Sequence, residues 1–188
     1  GAALASGAIT GLFMKKGERF FAFEAGLTSE LALSHVLCEL KRRAEARDEA
    51  VEAYSSTLAS VCVDRRQGRM LCFNLGSGII LGTGRGSCRV LSLPREEEAG
   101  CCTTTTEHAE RAASVKTLDV EDMQAVIICS DGAWRRMYDR NRLRREALAL
   151  LTDRDFTGLR TYLDRQRCSD DYSFIALELR NTKERQTA

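Results

Sequence analysis

The chain has little of several things that commonly mark function. Proline occurs once, at Pro94, and no linker or internal repeat divides the 188 residues. Neither charge sign dominates: 28 Lys and Arg stand against 27 Asp and Glu, a net charge of +1. No global field therefore draws in nucleic acid or an anionic membrane, and neither is expected as a partner. No apolar run approaches the ~20 residues needed to cross a bilayer. The opening GAALASGAITGLFMKKGERF has the small residues of a signal peptide, but its charges follow the apolar part, which excludes that reading. The eight cysteines (Cys38, Cys62, Cys72, Cys88, Cys101, Cys102, Cys129 and Cys168) form no CxxC pair, so zinc-type spacing is absent. Free, mostly buried thiols in a reducing cytoplasm are the expected state.

What remains is an ordinary globular composition, 44% hydrophobic and 29% charged, in a chain the size of one domain. Residues 2–14 are small and apolar, which suits a packed helix, with Gly17 and Gly26 as punctuation after it. Thr28 or Ser29 offers an N-cap for a second helix carrying Leu31, Leu33, Val36, Leu37 and Leu40 at helical spacing. KRRAEARDEAVEAY ends that helix in water. From Tyr54 onward STLASVCVD, GRMLCFNLGSGIIL and SCRVLSL read as strands, with hairpin turns at RRQG and GTGRG. AVIICSD is a short apolar run, the mark of a strand covered on both faces. NRLRREALALL and DFTGLRTYLDRQ have helical periodicity, YSFIALEL reads as a last strand, and RNTKERQTA as a solvated tail. These elements predict an α+β fold, large antiparallel sheets with helices packed outside them.

The chemistry lies at two strand ends. The run 126–129 stops at Ser130-Asp131-Gly132, and Asp170-Asp171 stand just before the last strand. If those strands are antiparallel neighbours, Asp131 and Asp170 or Asp171 share one rim of the sheet. Clustered carboxylates repel unless a cation sits between them or one takes up a proton. Hard oxygen donors suit Mg2+ or Mn2+ better than zinc. Taken singly, an Asp-Gly after a strand is most often a plain turn.

SSTLASVCVD, FNLGSGIILG, IICSDGAW and SDDYSFIALEL, in that order, resemble the successive core motifs of the PP2C-type protein phosphatases. VLSLP followed by TTTTEHAE resembles the bacterial branch. The likeness covers about residues 1–180, taken as one domain, with 181–188 as the tail. It implies an αββα sandwich and a cytoplasmic enzyme that acts on phosphoserine and phosphothreonine of a phosphorylated protein substrate. In that family two Mn2+ or Mg2+ ions hold a water, lower its pKa and aim it at phosphorus. Carried over residue by residue, Asp131 matches one metal ligand and Asp170 another, with Asp171 as its substitute. Ser55, Ser56 and Thr57 match a structural strand opening. No residue is assigned a catalytic role of its own, and the substrate-binding residues stay unassigned.

The chain departs from the family pattern in two places. Nothing in residues 1–60 replaces the bridging Asp of the family's Asp-Gly-x-Gly-Gly loop; Glu24 is the nearest carboxylate and its context differs. Ser77 stands where the family has an Asp, although Asn74 and Gly76 match. A catalytically impaired member acting as a binding or regulatory module is therefore the alternative, as is a fragment. His35 and His108 show no carboxylate partner in the sequence and are not expected to be catalytic. A thiol enzyme built on Cys129 or Cys168 would need a stabilised thiolate. Trp134, Tyr138 and the arginines Arg135, Arg136, Arg140, Arg142, Arg144 and Arg145 could form a partner surface, but a solvated helix face is the plainer reading.

Overall fold

The computed structural model describes residues 1–94, 96–97, 100–140, 142–166 and 170–179. The chain forms two compact units, Gly1–Gly78 with Ser92–Asp119, and Ile79–Leu91 with Val120–Ala188. The sequence-predicted tail and Cys168 lie outside the described residues.

In the first unit, α1 (Ala2–Phe20) and α2 (Ala25–Glu45) precede a short 3-10 turn at Val51–Tyr54. Strands β1 (Leu58–Asp64) and β2 (Arg69–Leu75) follow. In the second unit, β3 (Ile79–Gly84) and β4 (Ser87–Ser92) are hydrogen-bonded neighbours in one sheet. Back in the first unit come β5 (Glu96–Glu97), β6 (Gly100–Cys101), α3 (Ala109–Ala112) and β7 (Ser114–Asp119). The second unit then adds β8 (Ala125–Cys129), α4 (Asp131–Met137), β9 (Tyr138–Asp139), β10 (Arg142–Leu143), α5 (Arg145–Thr152), α6 (Phe156–Arg165) and β11 (Phe174–Glu178). The expected α+β class with antiparallel sheets is what forms.

The first sheet runs β1-β2-β7, antiparallel, with Leu58 opposite Leu75 and Asp64 opposite Arg69. α1 buries Ala5, Ile9, Phe13, Gly17 and Phe20, one stripe at helical spacing. α2 buries Ala32, Leu33, Val36, Leu40 and Ala44, and the two stripes share a core with Leu71, Phe73 and Leu75 of β2. Alternation explains β2: Met70 and Cys72 point to the other face and are buried as well.

Several sequence boundaries move. Gly17 does not punctuate; it lies inside α1, and an added Cβ there would stand 3.1 Å from Cys62 Sγ. The small residue lets the helix approach β1. Gly26 is likewise helical, and α2 begins at Ala25, so Thr28 and Ser29 are buried helix residues and not caps. Ser29 Oγ satisfies itself on Gly26 O at 2.9 Å. GRMLCFNLGSGIIL is two strands in different sheets. It breaks at Gly76, whose φ of +98° and contact with Thr57 Cγ2 (2.5 Å from an added Cβ) leave no room for a side chain. GTGRG does make a hairpin, but its first three residues belong to β3. β7, α3 and α4 have no counterpart in the sequence reading.

The second sheet runs β11-β8-β3-β4. β8 is central, with Ala125, Val126, Ile127 and Cys129 all buried, as its two-sided apolar run predicts. One face packs Ile79, Leu81, Ala125 and Ile127 with Ala147 and Leu151 of α5 and Leu159 and Leu163 of α6. Asp155 caps α6, its Oδ1 accepting from Gly158 N at 2.8 Å.

Candidate functional site

The two strand ends singled out in the sequence do meet. β11 pairs antiparallel with β8, Phe174 opposite Cys129, so the C-terminal end of β8 lies beside the start of β11. Beyond the ladder the pairing continues through Ser130: its N–H donates to Ser173 O at 3.0 Å, and its Oγ accepts from Ser173 N at 2.9 Å. Asp131 then opens α4, and its Oδ1 accepts from the Gly132 N–H at 2.9 Å. A Cβ added at Gly132 would stand 2.0 Å from Asp171 O and 3.4 Å from Asp170 Cβ. Glycine is what allows the Asp170-Asp171 backbone to lie directly on the first turn of α4. Asp131 is half-buried, while Asp170 and Asp171 are exposed.

One contact that the sequence did not suggest ties this rim together. Arg136 Nη2 donates to Asp170 O at 2.8 Å, and its guanidinium stands 4.5 Å over the Tyr172 ring. The arginine group thus does not behave as one solvated face. Arg135, Arg140, Arg142, Arg144 and Arg145 are exposed but scattered over α4, the turn after it and the start of α5, whereas Arg136 belongs to the acidic rim.

Asp131, Asp170 and Asp171 are hard oxygen donors, which suits Mg2+ or Mn2+. Among the described residues no group of three or more His, Cys, Asp or Glu is placed to hold a metal ion. Mg2+ keeps several waters and commonly takes only one or two carboxylates. The donor set therefore fits a single hard cation with water completing its shell, and does not fit the two-ion centre that the resemblance implies.

The other candidates fall elsewhere. Ser55 joins Thr103 and Thr105 in a hydroxyl cluster, at 2.7 and 2.9 Å, ahead of β1. Asn74 Nδ2 donates to Gly78 O and Leu93 O, holding the turn that contains Ser77. Glu24 is exposed and precedes α2. His35 lies on α2, and His108, contrary to expectation, has carboxylate neighbours: Glu110 at 3.3 Å and Glu107 at 3.6 Å. Both are its near neighbours in the chain, Glu107 just before it and Glu110 in the first turn of α3, and the ring is exposed. None of the described cysteines is in a disulfide, but Cys38 and Cys101 are exposed, so burial is less general than expected. Burial raises the Cys129 thiol to about 12, which removes the thiolate that a nucleophile beside Asp131 would need.

A family model for protein phosphatase 2C matches residues 2–165. The chain belongs to the protein phosphatase 2C family. Solved structures with a similar fold include a bacterial serine phosphatase, 13% identical, TM-score 0.58, aligned over 79% of this chain and 64% of that one. PppA of Pseudomonas aeruginosa, a key regulatory component of T6SS, is 17% identical, TM-score 0.55, over 78% and 65%. A C. elegans sex determining protein is 13% identical, TM-score 0.59, over 81% and 46%. At such identities the likeness is one of fold, and this phosphatase 2C chain spans less than two thirds of each of these structures. No curated protein matches it in sequence. No described helix is long and apolar enough to cross a membrane.

Proposed function

We propose that this phosphatase 2C chain serves in metal-dependent hydrolysis of phosphoserine and phosphothreonine on a protein substrate. Residues 1–180 form the phosphatase domain. Asp131 and Asp170, with Asp171 as substitute, hold a Mn2+ or Mg2+ ion at the end of β8. The observation that carries this reading is the packing of Asp170-Asp171 onto the first turn of α4 across Gly132. Carboxylates that share one rim repel unless a cation sits between them or one takes up a proton, and a divalent cation is the partner proposed here. When bound, such an ion lowers the pKa of its water and offsets charge on phosphoryl oxygens. The setting is bacterial and cytoplasmic, and no nucleic acid or membrane takes part.

The test is hydrolysis of a phosphothreonine peptide with Mn2+, comparing the wild type with Asp131→Asn. The mutant rate is expected to fall by more than about a hundredfold, beyond what loss of an outer-sphere partner costs. Equal rates in the two proteins would sink the assignment of Asp131.

A second reading, a catalytically impaired binding or regulatory module, is favoured by one observation. Among the described residues no third donor joins the rim. It predicts a folded protein that binds the phosphopeptide, with or without Asp131, and hydrolyses it in neither form.

A further inference from the structure

The two carboxylates of the rim reach it differently. Asp131 sits on α4 and is fixed by helix geometry. Asp170 is exposed and lies outside the β8–β11 ladder, and among the described residues no backbone-to-backbone hydrogen bond holds it. Something must fix its position, and the contacts point to one side chain. Arg136, on the same short helix as Asp131, donates Nη2 to the Asp170 carbonyl and lays its guanidinium over Tyr172. Tyr172 is itself anchored, its OH donating to Asp164 Oδ1 on α6. The Tyr162 OH, also on α6, donates to Arg136 O at 3.3 Å. One guanidinium thus grips the Asp-Asp-Tyr turn at a carbonyl and at a ring, while α6 holds both ends of the grip.

We infer that Arg136 is a positioning residue: it fixes Asp170 at a set distance from Asp131, so that a divalent cation meets two carboxylates already in place. The inference rests on the proposed metal role of the rim. Its physical basis is that a flat guanidinium combines a charge-assisted hydrogen bond with stacking, a pairing that lysine reproduces only in part. Holding a ligand through an outer contact is worth roughly 10- to 100-fold in metal affinity at other metal sites.

The experiment is Mn2+ titration of the full chain, read from the paramagnetic resonance of free Mn2+. Wild type is compared with Asp170→Asn, Arg136→Ala and Arg136→Lys, with thermal melts confirming that each is folded at the temperature used. Arg136→Ala is expected to bind about tenfold or more weakly, and Arg136→Lys to recover part of the loss. A purely structural Arg136 would lower the melting temperature without moving the Mn2+ affinity of the folded protein, which would overturn the inference. It would also fail alone if Asp170→Asn weakened binding while Arg136→Ala matched wild type. Wild-type affinity in Asp170→Asn, or no Mn2+ bound by wild type, would overturn the metal reading and the inference with it.

Discussion

Replacing Gly132 by alanine tests the packing of the rim without touching a charge. Gly132 lies in the first turn of α4 with ordinary helical backbone, so alanine alone would favour the helix by about 0.5–1 kcal/mol. Its methyl group would arrive 2.0 Å from Asp171 O, where ordinary contact begins at 3.4 Å. The neighbour is backbone, so it cannot rotate away, and the turn before β11 must lift by more than an ångström. Overpacking of this kind costs typically 1–3 kcal/mol. The net expectation is a loss of roughly 1–2 kcal/mol, or about 2–8 °C in melting temperature for a chain of this length. Lifting the turn also separates Asp170 from Asp131, so any Mn2+-dependent activity should fall by more than the stability loss accounts for.

Gly7 and Gly11 on α1 give the control, because an added Cβ at either meets nothing within 4 Å. There the same substitution should stabilise, by about 0.4–1 kcal/mol each. Differential scanning calorimetry of the three variants reads both signs in one series. If Gly132→Ala melted at or above wild type, the close approach of Asp171 to α4 would be wrong, and the geometric case for the acidic rim with it.

Other expectations follow from burial. Phe73→Ala should cost about 3–5 kcal/mol in urea unfolding, because the ring is fully buried beneath α1 and α2; a loss under 1 kcal/mol would contradict that core. Alkylation of the native protein at pH 8 should label the exposed Cys38 and Cys101 quickly. Cys72, Cys88 and Cys129 should stay unlabelled until unfolding, their thiols pushed by burial to about 12, 11 and 12. The same thiols set a pH dependence. Their folded pKa values lie above the ordinary 9.0, so the folded state holds protons that the unfolded state releases. Stability should therefore be unaffected by them below pH 9 and decline from there towards pH 12; denaturant midpoints that rose over that range would refute the assignment.

Much of this was legible in the sequence because its signals are local. AVIICSD and YSFIALEL are apolar runs whose length and bounds announce strands, whereas their antiparallel pairing, only a condition in the sequence, is supplied by the fold. NRLRREALALL and DFTGLRTYLDRQ announce α5 and α6 by periodicity. What was missed depends on tertiary contact. β7, SVKTLD, is only half-buried and has no strong alternation, and it becomes a strand because β2 offers it an edge. The cap position of α2 was misplaced because Thr28 and Ser29, apt for capping by type, are buried on the helix face, while Glu24 precedes the helix without a side-chain cap.

α4 shows the same limit at the site itself. Seven residues with a glycine near the start are a poor helix by propensity, and Asp-Gly reads locally as a turn. The helix exists because Ser130 continues the β8–β11 pairing by one side-chain bond, and because Met137 and Ala133 are buried against the sheet's core. Once α4 is in place, its sequence decides more than its own stability. Gly132 admits the Asp170-Asp171 backbone, and Arg136 grips it from the other end of the helix. The motif Ser-Asp-Gly could be read along the chain as a ligand followed by a turn. That its glycine is an opening for the Asp170-Asp171 backbone, and that an arginine outside the motif closes on it, belongs to the three-dimensional arrangement alone.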